Sequence, residues 1–157
     1  MIWVDRRELM YESGKLIHKL LGEPPVSELP ADYVIEASGK MWGIERKTAS
    51  GFLGDFASGR LMEQLKLMRG LFEDVFLIIE GLWMLSSDGK VSVQFGEPKR
   101  RGNALIVLLR DTEWNYKAVV GFLTSITSKL VREVKFTLSP RETAEVIKEL
   151  DSLLSRR

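Results

Sequence analysis

Glu45 and Lys47 flank Arg46 at the end of a stretch that begins as an apolar strand, Met41-Trp42-Gly43-Ile44, and runs on into helical sequence. Side chains alternate along a strand, so Glu45 and Lys47 project from one face while Trp42, Ile44 and Arg46 project from the other. Upstream, residues 32–36 read as a second strand opened by Pro30-Ala31, and Ala37-Ser38-Gly39-Lys40 has the composition of a hairpin turn. Folding one strand back on the other brings Asp32, Glu45 and Lys47 together. Two carboxylates and a lysine so placed suit metal-assisted phosphodiester hydrolysis. Hard oxygen ligands hold Mg²⁺, and the metal polarises the phosphate and acidifies a water. Lys47 positions that water or neutralises developing charge.

Other clusters stand near this one in the chain. Asp5-Arg6-Arg7-Glu8 follows the short apolar strand 2–4, at the end where α/β sheets usually carry functional groups. Such a run also suits a solvated strand end; what favours a site is its position beside the other carboxylates. Arg60 and Gln64 are one helical turn apart and present a cation and an amide together, as a phosphate oxygen requires. Lys99, Arg100 and Arg101 make a dense basic loop that either contacts a DNA backbone or is simply solvated. His18, the single histidine, lies off the apolar stripe of its helix and reads as a surface residue.

The elements that must position these groups follow from periodicity. Ser13 is a candidate cap for a helix with the stripe Leu16, Ile17, Leu20 and Leu21, stopped by Gly22 and Pro24-Pro25. Thr48 or Ser50 can cap a short helix with Phe52, Leu53 and Phe56 on its apolar side. Ser58-Gly59 interrupts it before a second helix, whose Leu61, Met62, Leu65, Leu67, Met68 and Leu71 form a broad apolar surface ending near Gly70. Residues 75–80 are apolar almost throughout and read as a central strand. Residues 83–95 read as a hairpin, 103–109 as a strand, 114–128 as a helix and 130–137 as a strand. Ser139-Pro140-Arg141-Glu142 is a capping box that starts a helix through Leu154, with Arg156 and Arg157 complementing its C-terminal dipole.

At 157 residues the chain fits one compact domain. The absence of cysteine excludes disulfides, a cysteine zinc site and a thiol nucleophile. The N-terminus is unlike a signal peptide and no apolar run is long enough to span a bilayer, so an intracellular location, cytoplasmic or nucleoid-associated, is expected, with no membrane partner. A net charge of +1 excludes a globally basic polymer binder, so nucleic-acid affinity must come from local clusters.

V-D-R-R-E at residues 4–8, L-P-A-D-Y-V-I at 29–35, G-I-E-R-K-T at 43–48, S-G-R-L-M-E-Q at 58–64 and F-L-I-I-E-G at 76–81 resemble, in order and spacing, the nuclease domain of the XPF-type structure-specific endonucleases. The resemblance implies an α/β, restriction-endonuclease-like fold, a mixed central sheet flanked by helices, spanning residues 1–157 without the tandem helix-hairpin-helix module that the family commonly appends. By motif position it implies that Asp32 and Glu45 bind Mg²⁺ or Mn²⁺, that Asp5 and Glu8 belong to the acidic cluster and support the metal or its water, and that Lys47 is the catalytic lysine. Arg60 becomes a phosphate or active-site contact.

The implied activity is cleavage of branched or flapped DNA by a homodimer assembled through helices in the C-terminal half, with residues 114–128 and 139–154 as candidates. Trp114, Tyr116 and Phe122 would then be interface residues. One position departs from the family pattern E-R-K-x-x-x-D: Gly51 stands where the aspartate is expected. A non-catalytic nuclease-like subunit that binds DNA or a partner is therefore an alternative, as is a Holliday-junction resolvase-type nuclease using the same groups. If the helix after Thr48 reaches Phe56, Asp55 lies one turn beyond Gly51 on the same face and can supply the carboxylate.

Overall fold

In the computed structural model, which describes residues 1–156, buried strands build a six-stranded mixed sheet with helices on both faces. Arg157 lies outside the described residues. The sheet contains β1 (Ile2–Asp5), β2 (Val26–Ser27), β3 (Tyr33–Ala37), β4 (Lys40–Thr48), β5 (Asp74–Glu80) and, at the far edge, a strand Glu133–Thr137 that is β11 in chain order. Their order is β11-β5-β4-β3-β1-β2. β3 and β4 form the expected antiparallel hairpin, with Ser38 and Gly39 at positive φ in its turn. β5 runs parallel to both neighbours, and its unbroken apolar sequence follows from burial on both sides.

On one face pack α2 (Ala49–Ser58), α3 (Arg60–Leu71) and α4 (Tyr116–Lys129), through Phe52, Leu53, Leu61, Leu65, Val119 and Ile126. Gly59 at φ 77° breaks α2 from α3. On the other face lie α1 (Glu12–Leu20) and α5 (Pro140–Ser155), through Ile17, Ala144, Ile147, Leu150 and Leu154. α5 begins with Ser139 as N-cap accepting the Glu142 N–H at 3.3 Å, while the Glu142 carboxylate takes the Leu138 N–H at 2.6 Å.

Several expectations need correction. Ser13 lies inside α1, because a 3-10 turn at Arg6–Met10 carries the chain to Tyr11 and the helix starts at Glu12 without a side-chain cap. Leu67 and Leu71 face solvent, since α3 lies on the sheet along one stripe only and continues past Gly70. Lys99, Arg100 and Arg101 are not a loop: they form β8 (Lys99–Arg101), paired with β9 (Ala104–Ile106). The hairpin of β6 (Trp83–Leu85) and β7 (Lys90–Gln94) gains a third strand, β10 (Leu109–Asn115), which takes Trp114 out of the helix. Phe122 packs against Phe56 at 4.7 Å and Tyr116 against Trp83 at 5.5 Å, so these rings are spent within the chain. Most of the apolar stripe of α5, Ile147, Leu150 and Leu154, is likewise buried on the sheet, while Leu153 faces solvent.

Candidate active site

β4 carries the site, and strand alternation divides it between two faces. Arg46 pairs with Ile78 across β4–β5 and shares its face with Trp42 and Ile44, whereas Glu45 and Lys47 project to the opposite side. The β3–β4 hairpin sets Asp32 just before the strand position opposite Ile44, and its Oδ2 accepts the Arg46 N–H at 2.8 Å.

On the reactive face, Asp32, Glu45, Lys47, Asp55, Arg60 and Gln64 line a cleft of about 400 Å³. Lys47 Nζ lies 3.1 Å from Glu45 Oε1 and 2.9 Å from Asp55 Oδ2. Gln64 Nε2 donates to Glu45 Oε1 at 2.6 Å. Burial, then the neighbouring Glu45 and Glu8 charges, push the Asp32 carboxyl well above the usual carboxylate range. Burial also raises Glu45, against the pull of Lys47, Gln64 and a hydrogen bond with Asp32. Burial opposes the charge on Lys47, but Glu45 and Asp55 outweigh it and hold the ammonium protonated.

Glu45 Oε2 is buried with no hydrogen-bond partner. Two crowded carboxylates, one with an orphaned oxygen, suit a hard divalent cation, which is usually held by one or two protein carboxylates with waters and substrate phosphate completing its shell. Among the described residues no group of three or more ligating side chains surrounds this point, so the residues fit a lightly held Mg²⁺ or Mn²⁺ better than a closed cage.

The bracing face is occupied by a network that the sequence reading missed. The Arg46 guanidinium donates to Glu80 at 3.0 and 2.9 Å and to Glu8 Oε2 at 3.1 Å. Glu8 Oε2 also accepts the Tyr33 hydroxyl at 2.8 Å, and Glu80 Oε2 accepts the Thr143 hydroxyl at 2.6 Å. Arg46, Glu8 and Glu80 are all nearly buried. A signal was present: charges ending otherwise apolar strands must be paired when buried, and Arg46 and Glu80 occupy such positions.

Not every expected residue takes its expected place. Asp5 does not line the cleft. Its carboxylate caps the 3-10 turn by accepting the Arg7 N–H at 2.9 Å and Arg7 Nε at 2.6 Å, and its other oxygen takes the Leu29 N–H at 2.7 Å. Burial works against its charge, but these partners hold its pKa below the usual value. Both its oxygens are engaged in anchoring the 3-10 turn and Leu29. Gln64 directs one N–H of its amide to Glu45, while Arg60 is exposed at the cleft wall. Glu8 lines the cleft but belongs to the brace. Gly14 allows this placement, because a Cβ there would collide with the Glu8 carbonyl oxygen. Lys99, Arg100 and Arg101 stand apart from the cleft on the β8–β9 ribbon.

A family model described as the ERCC4 domain matches residues 4–150. XPF from Aeropyrum pernix is 26% identical, with a TM-score of 0.68 over 99% of this chain and 66% of that one. XPF from Aeropyrum pernix in complex with DNA is 24% identical, with a TM-score of 0.69 over 99% of this chain and 64% of that one. The chain thus spans about two thirds of the length of those proteins. No curated protein matches the sequence. The mixed sheet with helices on both faces is the fold of these nuclease domains.

Proposed function

Because the chain belongs to the ERCC4 domain family, we propose that it is a metal-dependent DNA endonuclease cleaving phosphodiester bonds at branched or flapped structures. The observation that carries this reading is the Asp32–Glu45 pair, with Glu45 Oε2 buried and unpartnered beside the Lys47 ammonium. A Mg²⁺ or Mn²⁺ held by Asp32 and Glu45 would supply Lewis-acid polarisation of the scissile phosphate and an acidified water.

The chain's own groups do the rest. Gln64 and Lys47 orient the Glu45 carboxylate, and the protonated Lys47 stabilises charge that develops on the phosphate or aligns the attacking water. Arg60, exposed at the cleft wall, receives a neighbouring phosphate. Lys99, Arg100 and Arg101 hold the DNA backbone farther out. Arg46, tied to Glu8 and Glu80, keeps the backbone between Glu45 and Lys47 from shifting.

A second copy of the chain completes the assembly. α4 and β11 present Val120, Leu123, Val134 and Phe136 along an open apolar groove. No helix among the described residues is long and apolar enough to cross a membrane, and the protein acts inside the cell, in the cytoplasm or at the nucleoid.

The deciding experiment offers labelled flap, fork, four-way junction and linear DNA with Mg²⁺ or Mn²⁺. Cleavage of the flap or fork, lost in Asp32→Ala, Glu45→Ala and Lys47→Ala with DNA binding retained, supports the reading. Preferential cleavage of the four-way junction favours a resolvase. Gly51, which lines the cleft without a side chain, favours the second reading, a DNA-binding or partner-binding subunit without catalysis. Inactivity on every substrate with either metal would select it.

A further inference from the structure

The segment between β7 and α4 carries charge and apolar surface that the cleft does not use. The β7–β10 pair continues through the Phe95 N–H, which donates to the Leu108 carbonyl at 3.1 Å. It breaks at Gly96, whose φ is 71°, and resumes as the β8–β9 ribbon closed by Gly102-Asn103. Every residue of β8 and β9 is exposed. Arg100 pairs with Leu105 and Lys99 with Ile106, so a cation and an apolar side chain sit together on each face of the ribbon. A two-stranded ribbon with neither face covered is marginal in water and gains from a partner.

The charge states which partner. Lys99, Arg100, Arg101 and Arg110 join no ion pair among the described residues, and Glu97 is the one acid in the segment 95–110. Arg110 lies over the Phe95 ring, 5.7 Å from its centroid. Leu105 is 56% exposed and Leu108 50%. The foot of the arm, at Gln94 and Phe95, lines a cavity of about 270 Å³ with Thr48 and Glu80, and Thr48 also lines the reactive cleft. The arm therefore begins beside the reactive cleft, at a cavity whose lining the cleft shares through Thr48.

We propose that this arm is a DNA wing that seats on a branch point. Lys99, Arg100 and Arg101 contact backbone phosphates, and Leu105 and Leu108 pack against the base pair laid open where the strands part. Continuous duplex offers the phosphates but no open base-pair face, so the apolar side chains bind only where stacking is already interrupted. The inference rests on the nuclease reading for its choice of DNA, and it assigns the discrimination of a branch from a duplex to these two leucines.

The test compares forked and linear DNA in excess chelator, with a fluorescent adenine analogue in the base pair next to the fork. The natural protein should bind the fork about tenfold more tightly, the worth of one good packing contact, and change the analogue's fluorescence. Leu105→Ser with Leu108→Ser should abolish both effects while keeping linear-DNA affinity and the melting temperature, because both side chains are exposed. Lys99→Ala, Arg100→Ala and Arg101→Ala together should weaken both DNAs alike and flatten the salt dependence. Unchanged fork preference and fluorescence in the double serine variant overturns the proposal. So does conversion of a dimer to a monomer by the serine changes with fork preference intact, which would make the patch a contact between copies. A protein that prefers forks through these leucines yet cleaves nothing with Mg²⁺ or Mn²⁺ sinks the catalytic reading alone.

Discussion

Lys47 Nζ sits 2.9 Å from Asp55 Oδ2, a carboxylate that reaches the strand end from the second turn of α2. Gly51, one turn earlier, contributes only its N–H, donated to the Thr48 hydroxyl at 3.1 Å. Asp55 thus stands where it can hold the ammonium that the usual aspartate at position 51 would face. We expect Asp55→Ala to lower cleavage about tenfold, the loss of one charge-assisted contact. Adding Gly51→Asp should restore part of it. The restoration will be incomplete, because a Cβ at position 51 would lie 2.9 Å from Thr48 Oγ1 and disturb the cap of α2. Wild-type rates in both variants would remove Asp55 from the mechanism.

Metal binding should be visible without turnover. A Mg²⁺ or Mn²⁺ bound between Asp32 and Glu45 should stabilise the folded chain, by about 2.7 kcal/mol at a concentration a hundred times the dissociation constant. Thermal melts should rise on metal addition in the natural protein and stay flat in Asp32→Asn. The pH dependence has a definite sign. The folded-state pKa of Asp32 is raised above its unfolded value, so this residue's contribution to metal-free stability is full below the ordinary carboxylate range and is lost as pH rises through its raised value. Saturating metal, or Asp32→Asn, should remove that slope; a slope unchanged by either would contradict the site.

Asp5 carries the opposite sign. Its folded pKa is lowered, so its contribution is present above the usual carboxylate value and disappears as pH falls through the folded one. Asp5→Ala leaves the half-buried Leu29 N–H without its acceptor and should cost about 1 kcal/mol, read by denaturant melts, while the metal-induced shift persists. Loss of that shift in a folded Asp5→Ala protein would return Asp5 to the metal site.

The brace can be tested at its far end, on α5. Thr143 links Glu80 at 2.6 Å to Thr137 at 2.8 Å, and Glu80 in turn grips Arg46. Thr143→Val should lower kcat several-fold, on the order of 1 kcal/mol in the barrier, with KM nearly unchanged, and Thr143→Ser should recover the rate. If Val and Ser variants are equally active, α5 supports the fold and not the geometry of β4.

Self-association is expected to use α4 and β11. Phe136 is 55% exposed beside Val120 on an open groove. Light scattering should give a dimer at micromolar concentration and a monomer for Phe136→Glu, because a buried unpaired carboxylate is strongly unfavourable at an apolar interface. A natural protein that is monomeric throughout would refute this assembly.

The reactive residues were legible because local rules determine them. Strand period placed Glu45 and Lys47 together, a hairpin turn returned Asp32 to them, and Thr48, Ser139 and Gly59 marked helix boundaries through capping and positive φ. Roles that depend on what meets a side chain from a distant segment were not legible. Asp5 and Glu8 belong to one acidic run, yet one bonds Leu29 and the other Arg46, a difference set by the 3-10 turn and by Gly14 admitting the Glu8 backbone. Strand period puts Arg46 on the face away from Glu45 and Lys47, but only the packing of β5 and α5 gives it a partner, Glu80, itself held by Thr143. Phe122 and Tyr116 appeared available to a partner because periodicity shows that a face is apolar, not what covers it. Tertiary packing alone assigns buried polar groups their partners, since desolvation obliges each to find one wherever in the chain it lies.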